Sequence, residues 1–135
     1  MKNIEYMTAL VTGGLIYGGM ELLFRGFTHW SMLLTGGVCF LIFHIIFRSR
    51  SASMLVKCLA SCGIITTLEF GVGCLVNLEL GMRIWDYSAH IFNLLGQICL
   101  LFSAIWFLMG VPMAIYSRFL FRFFGQRKSV NKNLS

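Results

Sequence analysis

The stretch "WDYSAHIFNLLGQICL", Trp85 to Leu100, decides how the chain is read. It opens with polar and aromatic residues and closes as a run suited to hydrocarbon. Read as the entry to a spanning helix, it places His90, Asn93 and Gln97 at i, i+3 and i+7, with Gly96 and Ser103 close to the same stripe. A polar stripe of this kind cannot face lipid, where each group would cost kilocalories. The spacing therefore predicts a helix that turns polar side chains toward protein neighbours.

Composition says what those neighbours are. The chain has 135 residues, 58% hydrophobic and only 12% charged, with a mean hydropathy of +0.80. A soluble domain needs more polar surface than this to cover its core. Four stretches reach the roughly 20 residues that a helix needs to cross a bilayer. They are residues 7–24, 31–47, 54–78 and 91–116. The first follows Lys2 but has no A-x-A-like cleavage site, and Glu21 interrupts it, so it reads as a span rather than a signal peptide. The expected fold is all-α: an integral membrane four-helix bundle in a single domain, 1–125, with a flexible cytoplasmic tail at 126–135. Pro112 should kink or end the regular part of the fourth helix. The segment after it, "SRFLFRFFGQRK", alternates basic and apolar residues, as a basic amphipathic segment in the headgroup layer would.

The net charge of +6 has an uneven distribution. Lys2, Arg48, Arg50, Lys57, Arg118, Arg122, Arg127, Lys128 and Lys132 fall on one side of the four spans, against Arg25 and Arg83 on the other. The positive-inside rule then puts both termini in the cytoplasm of a multi-pass inner-membrane protein. Basic residues so placed answer to topology and lipid phosphates, and nucleic acid is not expected as a partner. His44, one turn before Arg48, reads as a snorkelling residue at a helix end.

Cysteine usage suggests packing. All five cysteines lie in apolar segments, and Cys58 and Cys62 have helical i, i+4 spacing rather than a metal or redox spacing. His29, Asp86 and His90 lack the spacing of a zinc site, so no metal and no cofactor is expected. Glycines carry more information. Gly14 and Gly18 form a GxxxG flanked by Gly13 and Gly19, and Gly36–Gly37 and Gly71/Gly73 follow on later helices. Small residues let helices approach closely in lipid. Two roles stand open for them, packing inside one chain or a homodimer seam.

Counting along the helices brings several polar residues to one depth. Glu69 falls about 18 Å past Lys57, Glu21 about 21 Å beyond Met7, and Gln97 about 9 Å into the fourth helix from the other side. Ionisable groups inside a membrane are candidates for function. The candidate ligand-binding set is Glu21, Arg25, His29, Trp30, Glu69, Trp85, Asp86, Tyr87, His90, Asn93 and Gln97. No P-loop, dinucleotide glycine motif or Ser-His-Asp order is present. Three readings follow. The first is a small permease or permease subunit with an outward-facing pocket for a small polar solute or a lipid headgroup. The second is a membrane-embedded enzyme using Glu69 or His90 as acid/base. The third is a structural or regulatory partner of another membrane protein.

Two segments, "GGLIYGGMELLFRGFTHWSMLLTGG" and "WDYSAHIFNLLGQICLLFSAIWFLMGVP", resemble the ABC-transporter type IV, or CmpB-like, family of small multi-helix membrane proteins. The likeness runs from Leu15 to Pro112. Its most specific part is Trp85-Asp86-Tyr87-Ser88 with Asn93, Gly96 and Gln97. Glu21, Glu69 and the Arg25/His29/Trp30 turn also fit the family pattern. The resemblance implies a permease-like role within a larger membrane complex.

Overall fold

The computed structural model describes residues 2–49 and 51–133, with side chains through residue 125 apart from Phe24. Four long helices make the fold essentially all-α: α1 (Lys2–Arg25), α2 (Trp30–Arg48), α3 (Met54–Gly73) and α4 (Leu100–Asn133). Local sequence explains the breaks. Gly26, at φ +74, ends α1, and its N–H donates to Leu22 O at 3.1 Å. His29 then caps α2 by accepting from Ser31 N–H, and Ser53 caps α3 by accepting from Val56 N–H.

Among the described residues, three helical segments are long and apolar enough to cross a membrane: Trp30–Arg48, Met54–Glu79 and Leu100–Gly125. The chain is a multi-pass membrane protein. Large apolar residues along α1, among them Val11, Leu15 and Leu23, are exposed, which suits a helix bathed in lipid on one side. Arg50 and the side chains of Arg127, Lys128 and Lys132, which enter the charge partition, lie outside the described residues. Leu134 and Ser135 of the expected tail lie outside them too, while the backbone from 126 to Asn133 continues α4. Pro112 sits inside α4 and does not end it.

The fourth helix begins later than its hydropathy suggests, at Leu100 rather than Ile91. Before it, α3 widens into a π-helical turn, Cys74–Glu79, and a connection of non-helical backbone follows. Within that connection Asn93–Leu94 (β1) pairs antiparallel with Ile98–Cys99 (β2). Leu95 and Gly96 between them both have positive φ, the pattern of a type I′ turn, and Gln97 N–H donates to Leu94 O at 3.0 Å. The stripe of His90, Asn93 and Gln97 is therefore not helical. Asp86 and Asn93 bond nearby backbone through their short side chains, and Gly96 takes a positive φ, so turns outcompete the helix.

Close packing joins the first two helices. A Cβ on Gly37 would stand 2.6 Å from Leu10 O, and one on Gly14 would stand 2.8 Å from Leu33 O. Gly18 and Gly36 are filled by Leu33 and Tyr17 of the opposite helix. The GxxxG face is thus occupied inside the chain by α2. All five cysteines are free, and Cys58 packs where Gly110 leaves room on α4.

The end of the bundle that holds the start of α1 carries a buried polar chain. Glu5 Oε1 lies 2.8 Å from His44 Nε2, and Glu5 Oε2 lies 3.2 Å from Arg48. Ser117 Oγ on α4 stands 2.8 Å from His44 Nδ1. His44 is fully buried, so it does not snorkel; it ties three helices together. Near Arg48, Lys57 Nζ donates to Ser49 O and closes the α2–α3 turn.

A candidate ligand cleft between the first and last helices

At the end of the bundle near Glu5, α1 and α4 are in contact. Ala9 packs with Leu120 and Phe124, and Thr12 shares a hydrogen bond with Tyr116. Higher up, Tyr17 and Trp106 stack with centroids 6.2 Å apart. Beyond this level the helices leave a cavity of about 620 Å³ between them. That volume is in the range of small-molecule sites, about 300–1,000 Å³. One wall is Ile16, Tyr17, Met20, Glu21 and Arg25 of α1, and the other is Phe102, Ile105, Trp106 and Met109 of α4. Phe40 of α2 lies at its back, and Trp85, Asp86, Tyr87 and His90 reach it from the 80–99 connection.

Its charged edge is unevenly satisfied. Arg25 Nη1 donates to Glu21 Oε1 at 2.9 Å, one turn away on the same helix, and Arg25 Nη2 donates to Ile84 O. The guanidinium thereby fastens the connection to α1. Glu21 is only 8% exposed, yet its Oε2 is buried without a hydrogen-bond partner among the described residues. A buried charged acceptor left unmet costs more than the 1–3 kcal/mol or so of a neutral one. Asp86 sits in solvent, where the Ser88 hydroxyl and amide hold its carboxyl below the usual range. Burial pushes the Tyr87 phenol upward, so it stays neutral.

The connection is held by its own polar residues, which answers why they are there. Irregular backbone that is buried must be satisfied by protein groups. Asn93 Nδ2 donates to His90 O and Ser88 O, and its Oδ1 accepts from Gly96 N–H. Asp86 Oδ1 accepts from Ser88 N–H at 2.9 Å. Asn77, turned inward by the π-helical turn, donates to Gln97 Oε1 at 2.8 Å and accepts from Ile84 N–H at 2.7 Å. Gln97 Nε2 donates to Leu95 O, while Gln97 O accepts from Trp85 Nε1. Tyr87 stacks on Phe102 at 4.5 Å and clamps the connection to α4.

Of the expected site residues, Glu21, Arg25, Trp85, Asp86, Tyr87 and His90 meet at the cavity. Glu69 lies one shell behind it, accepting from Trp106 Nε1 at 2.9 Å. Gln97 and Asn93 are used by the connection's own backbone. His29 caps α2, and Trp30 beside it is 67% exposed, as an interfacial anchor would be. Glu69 and His90 share no hydrogen bond among the described residues. Sequence reasoning missed Trp106 and Phe102, and it left Asn77, legible as part of a polar stripe on the third helix, out of the site. For Trp106 a signal existed: an indole N–H inside an apolar span needs a buried acceptor, and Glu69 is one.

Gln97→Leu should therefore act on stability. It leaves Asn77 Nδ2 buried without its acceptor, a loss of about 1–3 kcal/mol. Detergent unfolding of the variant would read it. An unchanged midpoint would show that Gln97 does not support the connection.

An all-α, multi-pass protein with a cleft between its first and last helices is the class these features define. A family model described as "Putative ABC-transporter type IV" (ABC_trans_CmpB) matches residues 4–133, and the chain belongs to that family. The match extends beyond the Leu15–Pro112 region that carries the resemblance. No curated protein and no solved structure matches significantly.

Proposed function

We propose that this transport-related membrane protein works as a small permease-like subunit whose α1/α4 cleft binds its ligand near the outer face of the inner membrane. One observation carries the reading: Glu21 stands in the wall of a cavity large enough for a small molecule, with one buried carboxylate oxygen unpaired. A buried carboxylate oxygen without a protein donor is costly, and a ligand donor would satisfy it. The family match supports a transport role.

Labelling tests the location. In a background without native cysteines, single cysteines are placed at Met20 and Ile105 in the cleft, at Ser88 in the connection and at Ser51 in the α2–α3 turn. Both termini being cytoplasmic, a membrane-impermeant thiol reagent added to intact cells should modify the Ser88 site and spare the Ser51 site. The Met20 and Ile105 sites should react if the cleft opens to water outside. Modification at Ser51 alone would invert the orientation, and unreactive Met20 and Ile105 sites beside a reactive Ser88 site would mean that the cleft does not open to water on that side.

A further inference from the structure

We propose that the cleft takes an amphiphilic primary amine, its ammonium held by Glu21 and Asp86 and its apolar body lying between α1 and α4. The inference rests on the cleft being a binding site and names the class of ligand.

Charge balance points first to a cation. The cleft lining holds the carboxylates of Glu21 and Asp86 and one guanidinium, Arg25, while Arg83 acts on Asp86 from outside the lining. Both terminal nitrogens of that guanidinium are committed, one to Glu21 and one to Ile84 O. An anionic ligand would have to displace Arg25 from both and then face two like charges. A cation meets the existing field.

Hydrogen-bond demand narrows the cation. Glu21 Oε2, buried and without a partner among the described residues, needs an N–H or O–H donor. A primary ammonium supplies three donors, whereas a quaternary one supplies none. Around that position stand the aromatic rings of Tyr17, Trp85, Tyr87 and Trp106. Their faces attract a cation by about 0.5–2 kcal/mol each.

The remaining surface and the access route call for an apolar body. Below the charged edge the walls are Ile16, Met20, Ile105 and Met109. Ile16, Met20 and Ile105 are each more than 40% exposed, so the gap between α1 and α4 opens sideways. In a bilayer that side is lipid. A molecule that partitions into the membrane reaches the cleft laterally with its amine at the headgroup level. A free alkylamine and an amine-bearing lipid headgroup share this chemistry.

The test uses the full chain in phosphatidylcholine nanodiscs and three photoreactive alkyl probes of equal length, ended by an amine, a hydroxyl and a carboxylate. Crosslinks are mapped by mass spectrometry. The amine probe should label cleft residues of α1 and α4 about tenfold more than the hydroxyl probe, a difference of about 1.4 kcal/mol. Glu21→Gln should bring amine labelling down to the hydroxyl level. Asp86→Asn, which keeps an Oδ1 to accept from Ser88 N–H, should lower it severalfold. Competition by phosphatidylethanolamine added to the nanodisc would assign the amine to a lipid headgroup. Competition by free octylamine alone would assign it to a soluble amine; either supports the proposal. Equal labelling by all three probes, or a preference for the carboxylate, would overturn the amine class while leaving the cleft as a site. If no probe labels the cleft, the binding reading itself fails.

Discussion

Glu5→Leu is expected to cost about 3–5 kcal/mol. Glu5 and His44 are 4% and 0% exposed, so neither can turn to solvent when its partner goes. Without the carboxylate, His44 Nε2 is left buried and unpaired, and Arg48 loses its counter-charge at the same time. The damage spreads, because His44 also holds Ser117, and this chain of bonds links α1, α2 and α4. Replacing the pair should differ from breaking it. The double variant Glu5→Leu/His44→Phe removes both polar groups, and Ser117 Oγ keeps His44's backbone carbonyl, 3.3 Å away, as acceptor. It should recover most of the loss. Equilibrium unfolding in mixed micelles would measure both. A single variant costing under about 1 kcal/mol, or a double variant worse than the single, would sink the staple interpretation.

Gly37→Leu should be nearly as severe, costing about 3 kcal/mol or more. The new Cβ would lie 2.6 Å from a backbone oxygen, Leu10 O, which cannot swing aside as a side chain does. The helices must separate, and with them go the neighbouring contacts of Gly14 with Leu33 and of Gly36 with Tyr17. Gly19→Ala is the control, since no heavy atom from elsewhere stands within 4 Å of its Cβ position. On an α-helix that change should be neutral or stabilising by up to about 1 kcal/mol. Thermal unfolding and size-exclusion profiles of the two variants make the comparison. Should Gly37→Leu remain folded and merely change from dimer to monomer, the seam would be between chains rather than within one.

The family resemblance and the all-α membrane fold were legible because both rest on local features. Apolar runs long enough to span are read directly from composition, and the Gly14/Gly18 and Gly36–Gly37 motifs announced a close helix pair. Glu21 and Glu69 were legible as intramembrane carboxylates. The connection was not legible as what it is. Its residues after His90, "IFNLLGQICL", are apolar enough to extend the fourth helix, and the positive φ of Phe92 and Leu95 contradicts what their types prefer. Those conformations exist because Asn77, Asn93 and Gln97 hold the backbone, and Asn77 arrives from another helix. His44 was misread for a similar reason. A histidine one turn from a helix end looks like an interfacial residue until a carboxylate 39 positions earlier is placed beside it.

What the sequence determined by itself is therefore the presence of apolar runs long enough to span, the charge bias of the connections and the presence of polar groups that lipid cannot satisfy. These depend on neighbours a turn or a few turns away, so the chain states them wherever it goes. The tertiary structure alone decided which polar group meets which. Glu5 found His44, Glu69 found Trp106, and Asn77 found Gln97, while one oxygen of Glu21 found no partner. It also decided that α1 and α4 touch at one end of the bundle and leave a cleft toward the other. Such pairings join positions tens of residues apart, and helix lengths and hydropathy are unchanged by how they are chosen. Packing selects among them through close contacts such as those at Gly14 and Gly37, and these set the angle and depth at which every side chain arrives.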